Sequence, residues 1–419
     1  MTVHEIPLPV KARFFTSGVK ILVGIMVVGM GAYLYRLIAG LGAVTNLNDQ
    51  YPWGIWIAVD VASGVALAAG GFTTAALVDI FHREKYHAIT RPALLTALLG
   101  YTFVVIGLLA DLGRYYNVWH PMLPSMWQGN SVLFEVGLCV MIYLTVLYIE
   151  FLPIVVERFK GKVRLPGPAS AFNRLAESLL TLADHTLGRV TSLFIIAGVV
   201  LSCLHQSSLG TLMVIAPTKM HPIWYTPISP LLFLLSAIAV GFPMVIFESI
   251  LAARSFGLKP ETRVLSSIAR YTPSLLGIYL AIRIGDLTIR EAWPYVTALS
   301  SQSIMFLIEI TVGVILPIII LSNGRWRRSV AGLFTAASMV IAGVVLNRIN
   351  VFLVAYQPLY SQGRYFPSIL EILVTVGLIA TLVLVYRVLV MIFPVISVPI
   401  TGAARGVENV VASRADYQR

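Results

Sequence analysis

The chain has 419 residues, of which 58% are hydrophobic and 12% charged, and its mean hydropathy is +0.85. Soluble domains carry roughly 25% charged residues, so a soluble enzyme, a nucleic-acid-binding domain and a disordered scaffold are all disfavoured. The net charge of +11 comes from basic clusters between long apolar runs, which is a membrane-topology pattern and not a phosphate-tracking surface.

Runs long enough to span a bilayer, about 20 residues each, fall at 18–39, 53–81, 91–112, 130–152, 190–215, 228–253, 264–287, 300–322, 329–348 and 366–394. The first 17 residues hold Lys11 and Arg13 but no short apolar core with a small-residue cleavage site. The first helix is therefore expected to stay as an anchor. Alternate connections are basic: Lys11, Arg13 and Lys20; Arg83, Lys85 and Arg91; Arg158, Lys160, Lys162, Arg164, Arg174 and Arg189. The series continues with Arg254, Lys259 and Arg263, then Arg325, Arg327 and Arg328, and ends with Arg405, Arg414 and Arg419. The opposite connections hold only Arg36, Arg114, Lys219, Arg290, Arg348 and Arg364. The positive-inside rule then places both termini in the cytoplasm.

The longest connection, 158–188, opens on a turn at Leu165-Pro-Gly-Pro168. A stripe of Phe172, Leu175, Leu179 and Leu187 follows, opposed by Arg174, Glu177 and Asp184. It reads as an amphipathic helix lying in the cytoplasmic interface, or as an ordered linker. A faint duplication links helix 3, ending Asp111-Leu-Gly-Arg114, to helix 7, ending Arg283-Ile-Gly-Asp286. Ser131…Glu135 in helix 4 similarly parallels Ser303…Glu309 in helix 8. The expected fold is an all-α integral membrane protein of about ten transmembrane helices. Helices 2–5 (53–215) and 6–9 (228–348) form two four-helix bundles, flanked by 18–39 and 366–394, with a cytoplasmic tail at 395–419.

Ionisable residues inside a membrane are functional candidates, because burying them there is costly. At about 1.5 Å per residue, Asp60 lies roughly 10 Å below the outer start of its helix. By the same rise, His205 lies about 24 Å up its helix and Asp111 about 30 Å from the cytoplasmic start of its own. With Glu135 they converge in depth on the outer part of the first bundle, and Arg114 stands at the rim. Asp79, Glu150 and Glu248 lie near cytoplasmic helix ends and are candidates for proton entry. The structural alternatives are ion pairs closing helix ends (Asp111/Arg114, Arg283/Asp286), a packing role for His205, and helix bridging in the second bundle by Glu309 and Glu371.

His205 is the one histidine deep in a span; His4, His82, His87, His120, His185 and His221 fall in connections or at interfaces. With no convincing axial pair, a haem is disfavoured. Cys139 and Cys203 form no cluster motif, so no iron–sulfur cluster or zinc site is expected in this chain. A quinone head group needs hydrogen-bond donors at two carbonyls and takes two protons on reduction. Imidazole and carboxylates supply both needs. A proton-coupled solute transporter uses the same residue types, and this chemistry alone does not separate the two.

Longer strings do. Gly40-Leu-Gly-Ala-Val-Thr-Asn-Leu-Asn48, Tyr51-Pro-Trp-Gly-Ile-Trp-Ile-Ala-Val-Asp60 and Tyr86-His87 with Arg91-Pro-Ala-Leu-Leu95 resemble the NrfD/PsrC family, in its HybB-like branch. Asp111-Leu-Gly-Arg-Tyr-Tyr-Asn117, Asn130-Ser-Val-Leu-Phe-Glu135, His205-Gln-Ser-Ser-Leu-Gly210, His221-Pro222, Tyr365-Phe-Pro-Ser368 and Glu371 continue the likeness, which covers roughly 37–375. The resemblance implies a membrane subunit of a periplasm-facing iron–sulfur oxidoreductase in a bacterial inner membrane, exchanging electrons with menaquinone or ubiquinone. It implies paired four-helix bundles without haem, and a quinone site near the periplasmic face beside a ferredoxin-like iron–sulfur partner. HybB-like members work with nickel–iron hydrogenase large and small subunits, while other members serve polysulfide, nitrite and cytochrome-linked complexes. On this reading His205 hydrogen-bonds a quinone carbonyl, Asp111 and Glu135 relay protons, Arg114 orients Asp111, and Asp60 supports them. The alternatives are a transporter, an anchor of another complex in the family, and a purely structural anchor.

Overall fold

The computed structural model describes residues 5–164, 167–361 and 363–399. In chain order its main helices are α1 (Ser17–Ala39), α2 (Trp56–Ile80), α3 (Glu84–Asp111), α4 (Val132–Phe159), α5 (Asn173–Val214) and α6 (Ser229–Phe256). They are followed by α7 (Thr262–Ile268), α8 (Tyr271–Ile289), α9 (Ser301–Ser322), α10 (Val330–Val354) and α11 (Ile369–Ile392). Among the described residues, 9 helices are long and apolar enough to cross a bilayer, α5 contributing its Val190–Val214 part.

The expected span 264–287 differs. It is divided between α7 and α8 at Ala269–Arg270. Pro273, in the first turn of α8, cannot donate to the carbonyl of residue 269 and its ring crowds that carbonyl. The 19-residue α8 that follows still has transmembrane length, and it buries Arg283 and Asp286.

Helices α2–α5 close a ring: α2 packs on α3, α3 on α4, α4 on α5, and α5 back on α2. Helices α6, α8, α9 and α10 close a second ring, which meets the first where α6 packs against α2 and α5. Outside both, α1 pairs with α11, and α11 leans on α3. Inside lipid a helix meets no hydrophobic drive towards its neighbour, so close packing of small residues takes over. Gly29 of α1 meets Gly377 of α11 in this way, and Gly313 of α9 meets Gly343 of α10. A Cβ on Gly343 would collide with the Gly313 backbone. Gly343→Leu is expected to cost about 1–3 kcal/mol by forcing the helices apart. It should lower the thermal midpoint of the detergent-solubilised protein; an unchanged midpoint would contradict this packing.

Helix α2 widens into π-helical turns at Trp56–Ser63 and Ala76–Ile80, around Asp60 and Asp79. The same occurs at Thr311–Ile315 in α9, just after Glu309, and at Asn350–Val354 in α10. Such turns insert a residue into the helix and often accompany functional sites.

The stripe expected to lie in the membrane plane is instead the start of α5, continuous with its spanning part. Lys160 pairs with Asp184, and the Gly161 N–H donates to Glu177 (2.6 Å), so the end of α4 clasps these first turns. Strands β1 (Glu5–Leu8) and β2 (Ile396–Pro399) pair antiparallel, with Leu8 opposite Ile396. Arg387 Nη2 donates to the Arg13 carbonyl (2.7 Å). The two ends of the described chain therefore lie on one side of the helix array. The tail from 400 onwards, with Arg405, Arg414 and Arg419, lies outside the described residues.

Candidate functional site

A cavity of about 450 Å³ opens in the first ring. Its walls are apolar, formed by residues such as Ile57, Val104, Leu108, Val136 and Leu209. Polar side chains enter at two places. Arg114, Asn117 and His120 come from the α3–α4 connection, and His205 comes from α5, nine residues before its end. The His205 ring is 0% exposed; its Nδ1 lies 3.3 Å from the Tyr101 hydroxyl, while Nε2 has no hydrogen-bond partner. If the tyrosine donates to Nδ1, the ring proton sits on Nε2, which is then a free donor.

Behind His205 runs a line of hydroxyls. Tyr101 of α3 stacks edge-on against Tyr143 of α4, with ring centroids 4.5 Å apart. Ser202 of α5 lies beside both rings. Tyr143 in turn lines a second, smaller cavity of about 80 Å³, which also holds Asp79 and Glu150. Gly198 of α5 admits this arrangement, because a Cβ there would strike the Glu150 carboxylate. Two of the three candidates for proton entry thus share one cavity, separated from His205 by two tyrosines. Glu248 of α6 is elsewhere, beside Thr96 and Tyr386.

The structure divides the candidates grouped by depth. His205 and Arg114 line the large cavity. Glu135 is next to the wall residue Val136 but exposed, and it accepts a hydrogen bond from Ser208 (2.5 Å). Asp60 faces the opposite way, accepting from Thr375 of α11 (2.6 Å) with Gly107 packed on it. Asp111 also faces the α1/α11 side, and its Oδ1 is buried without a partner.

The pairing expected of Asp111 with Arg114 is corrected. Helix α3 ends at Asp111 and Leu112 is extended (ψ 119°), so Arg114 does not lie one turn further along the helix, and it is exposed. The guanidinium facing Asp111 is that of Arg36 from α1, 1% exposed, which donates to the Leu112 carbonyl (2.6 Å). Glu371, expected as a bridge in the second bundle, caps α11 instead: it accepts from the Ser368 and Asn46 N–H groups (2.7 and 3.1 Å) and from the Tyr365 hydroxyl. Burial and this carboxylate push the Tyr365 phenol up, so it stays protonated and donating. Glu309 does bridge helices, accepting from Trp224, Asn347 and Asn350 at 3.1, 2.7 and 2.7 Å. Asp286 binds Arg290 and Arg283 (2.6 and 3.5 Å), as the helix-end reading expected for the Arg283/Asp286 pair.

Arg36, Tyr101, Tyr143, Asn117 and His120 are the members the sequence did not single out. Among the described residues, no group of three or more His, Cys, Asp or Glu is placed to hold a metal ion. The arrangement can hydrogen-bond an apolar, oxygen-bearing ring at His205 and offers hydroxyls along which a proton can pass.

Over residues 43–359 the chain matches the family described as polysulphide reductase, NrfD. It is 37% identical over 382 residues to a protein of Nitratidesulfovibrio vulgaris, covering 89% of this chain and 92% of that one. It is 34% identical over 393 residues to the probable Ni/Fe-hydrogenase 2 b-type cytochrome subunit of Escherichia coli, covering 93% and 95%. The integral membrane subunit of a menaquinone reductase from Nitratidesulfovibrio vulgaris is 27% identical over 401 residues, covering 86% and 90%. With its apolar helices and a family match across most of its length, the chain is a multi-pass integral membrane protein and belongs to the NrfD family.

Proposed function

We propose that this chain is the quinone-reactive membrane subunit of a periplasm-facing iron–sulfur oxidoreductase, HybB-like in its partners, and that the quinone head group binds in the His205 cavity. The observation that carries the reading is a buried imidazole with one nitrogen on Tyr101 and the other unpartnered, lining a largely apolar cavity of about 450 Å³. Ligand pockets of roughly 300–1,000 Å³ with few, placed polar groups are the usual form of such sites. Two electrons from a ferredoxin-like partner and two protons convert the bound quinone to the quinol. The basic connections support a reading with the termini in the cytoplasm of a bacterial inner membrane, and on that reading Arg114, Asn117 and His120 stand at the periplasmic mouth. The names of the relatives, a hydrogenase subunit and a menaquinone reductase subunit, support the hydrogenase link and the quinone. We read Asp79 and Glu150 as the cytoplasmic entry for substrate protons, passed by Tyr143 and Tyr101 to His205. Glu135, beside the wall residue Val136, serves proton exchange on the outer side, whereas Asp111 and Asp60 face α1 and α11, away from the cavity.

One observation favours a second reading. The Escherichia coli relative is named a b-type cytochrome subunit, and His120 and His205 line one cavity here. Purification of the intact complex separates the possibilities. The quinone reading expects an iron–sulfur partner to co-purify and the reduced-minus-oxidised spectrum to lack a haem α-band from this chain. A low-spin haem band lost on His205→Ala replaces the quinone reading with a cytochrome one. A chain that purifies alone and moves a solute identifies a transporter.

A further inference from the structure

The walls of the His205 cavity are not equally closed. On the α2 and α5 side Ile57, Val61, Leu209 and Leu212 are all buried. On the α3 and α4 side the lining residues Val105, Leu108 and Met141 are partly exposed, and Leu133 is 58% exposed. Gly137 lines the same cavity and stands between Leu133 and Met141 on one face of α4, four residues from each. A Cβ at Gly137 would meet no atom within 4 Å, whereas at Gly198 or Gly343 it would strike a neighbour. Glycine inside a helix is destabilising relative to alanine, and at Gly137 no close helix contact offsets that cost. Its missing side chain leaves a gap between α3 and α4, in the wall that faces lipid.

We propose that this gap is a lateral portal through which a prenyl-tailed quinone enters from the lipid, ring first, and in which its tail stays while the ring is at His205. The ligand class rests on the quinone reading above; the portal adds the route and the position that controls it. Depth supports the route. The start of α4, Val132, and the end of α5, Val214, lie at the same end of the ring, because the two helices pack antiparallel. Gly137 is five residues and Met141 nine residues into α4, and His205 is nine residues from the end of α5. At 1.5 Å per residue the gap therefore lies about 8–13 Å beneath the helix ends, level with the imidazole at its deeper edge. The head-group zone is only about 5–7 Å deep on each side of a bilayer, so the gap opens into hydrocarbon, where a prenyl quinone dissolves. A water-soluble molecule meets the polar mouth of Arg114, Asn117 and His120 instead. Gly137 is thus a specificity-determining position: it admits a tailed substrate from the membrane and does not bear on a tail-less one arriving from water.

Steady-state kinetics of the intact complex in nanodiscs test this, with a long-tailed prenyl naphthoquinone and a tail-less, water-soluble naphthoquinone as alternative substrates. Gly137→Leu, which fills the gap, is expected to raise the ratio of KM for the tailed quinone to KM for the tail-less one by about tenfold, equivalent to ~1.4 kcal/mol. Val105→Trp, which narrows the gap from the α3 side, should shift the ratio in the same direction, and turnover of the tail-less quinone reports folding in both variants. A ratio that stays at the wild-type value in both variants, through no change or through a parallel rise for both quinones, overturns the portal. His205→Leu separates that failure from failure of the reading beneath it. If His205→Leu lowers turnover of both quinones while the ratio stays put in the other two variants, the portal falls and the His205 site stands. If His205→Leu turns over both quinones at wild-type rates, the site falls and the portal with it.

Discussion

His205→Leu is expected to lower quinone-linked turnover of the assembled complex by about 100-fold, because one placed hydrogen-bond donor at a developing oxyanion is commonly worth 10²–10³ in rate. The change is nearly isosteric and removes both ring nitrogens. The protein loses one hydrogen bond, at 3.3 Å to the buried Tyr101 hydroxyl, for which about 1–3 kcal/mol is typical when one partner of a buried pair is removed. The thermal midpoint should therefore fall modestly, and turnover is compared at equal content of assembled subunit. His205→Gln, which keeps an N–H donor, should recover part of the rate. Turnover measured with a water-soluble quinone in membranes of equal subunit content checks both. Wild-type rates in His205→Leu would remove the histidine from the site.

Glu150→Gln is expected to reduce both turnover and the membrane potential built by proteoliposomes, each by at least about tenfold, since a proton-transfer group typically contributes 10²–10⁴. Glu150 and Asp79 share a cavity bounded by Tyr143, and Tyr143 is in ring contact with Tyr101, so the path is one file wide at that point. Tyr143→Phe keeps the ring packing and removes the hydroxyl, and it should reproduce the Glu150→Gln result. Asp79→Asn should be milder, because Asp79 is only half-buried and nearer to water. A normal membrane potential in both Glu150→Gln and Tyr143→Phe would separate this cavity from the proton supply. Loss of potential with normal turnover would show that substrate protons arrive from the outer side.

Hydropathy and charge carried the spans and their boundaries, because a bilayer demands apolar length and internally satisfied backbones. Within 264–287 they did not show the break at Ala269–Arg270, because the proline in the first turn of α8 was hidden inside an apolar run. They also set apart the start of α5, whose polar residues break the hydropathy while the backbone continues unbroken. His205 was legible because a histidine deep in an apolar run is conspicuous. Tyr101 and Tyr143 were not, since tyrosines in such helices look like packing until their hydroxyls are seen in line. Arg36 resembled an ordinary topology signal at a helix end. Arg114 was linked to Asp111 by an i,i+3 spacing that holds only within a helix, and α3 stops at Asp111. Depth along a helix can be counted from residues, but facing cannot. That is why Asp60 and Asp111 shared a level with His205 yet turned towards α1 and α11.

The most direct measurement is the structure of the assembled complex with a tight-binding quinone analogue. Ring density is expected between α3, α4 and α5, with an analogue oxygen within about 3 Å of His205 Nε2, the ordinary span of an N–H···O bond. An empty His205 cavity, with the analogue bound elsewhere on this chain or on a partner subunit, would contradict it.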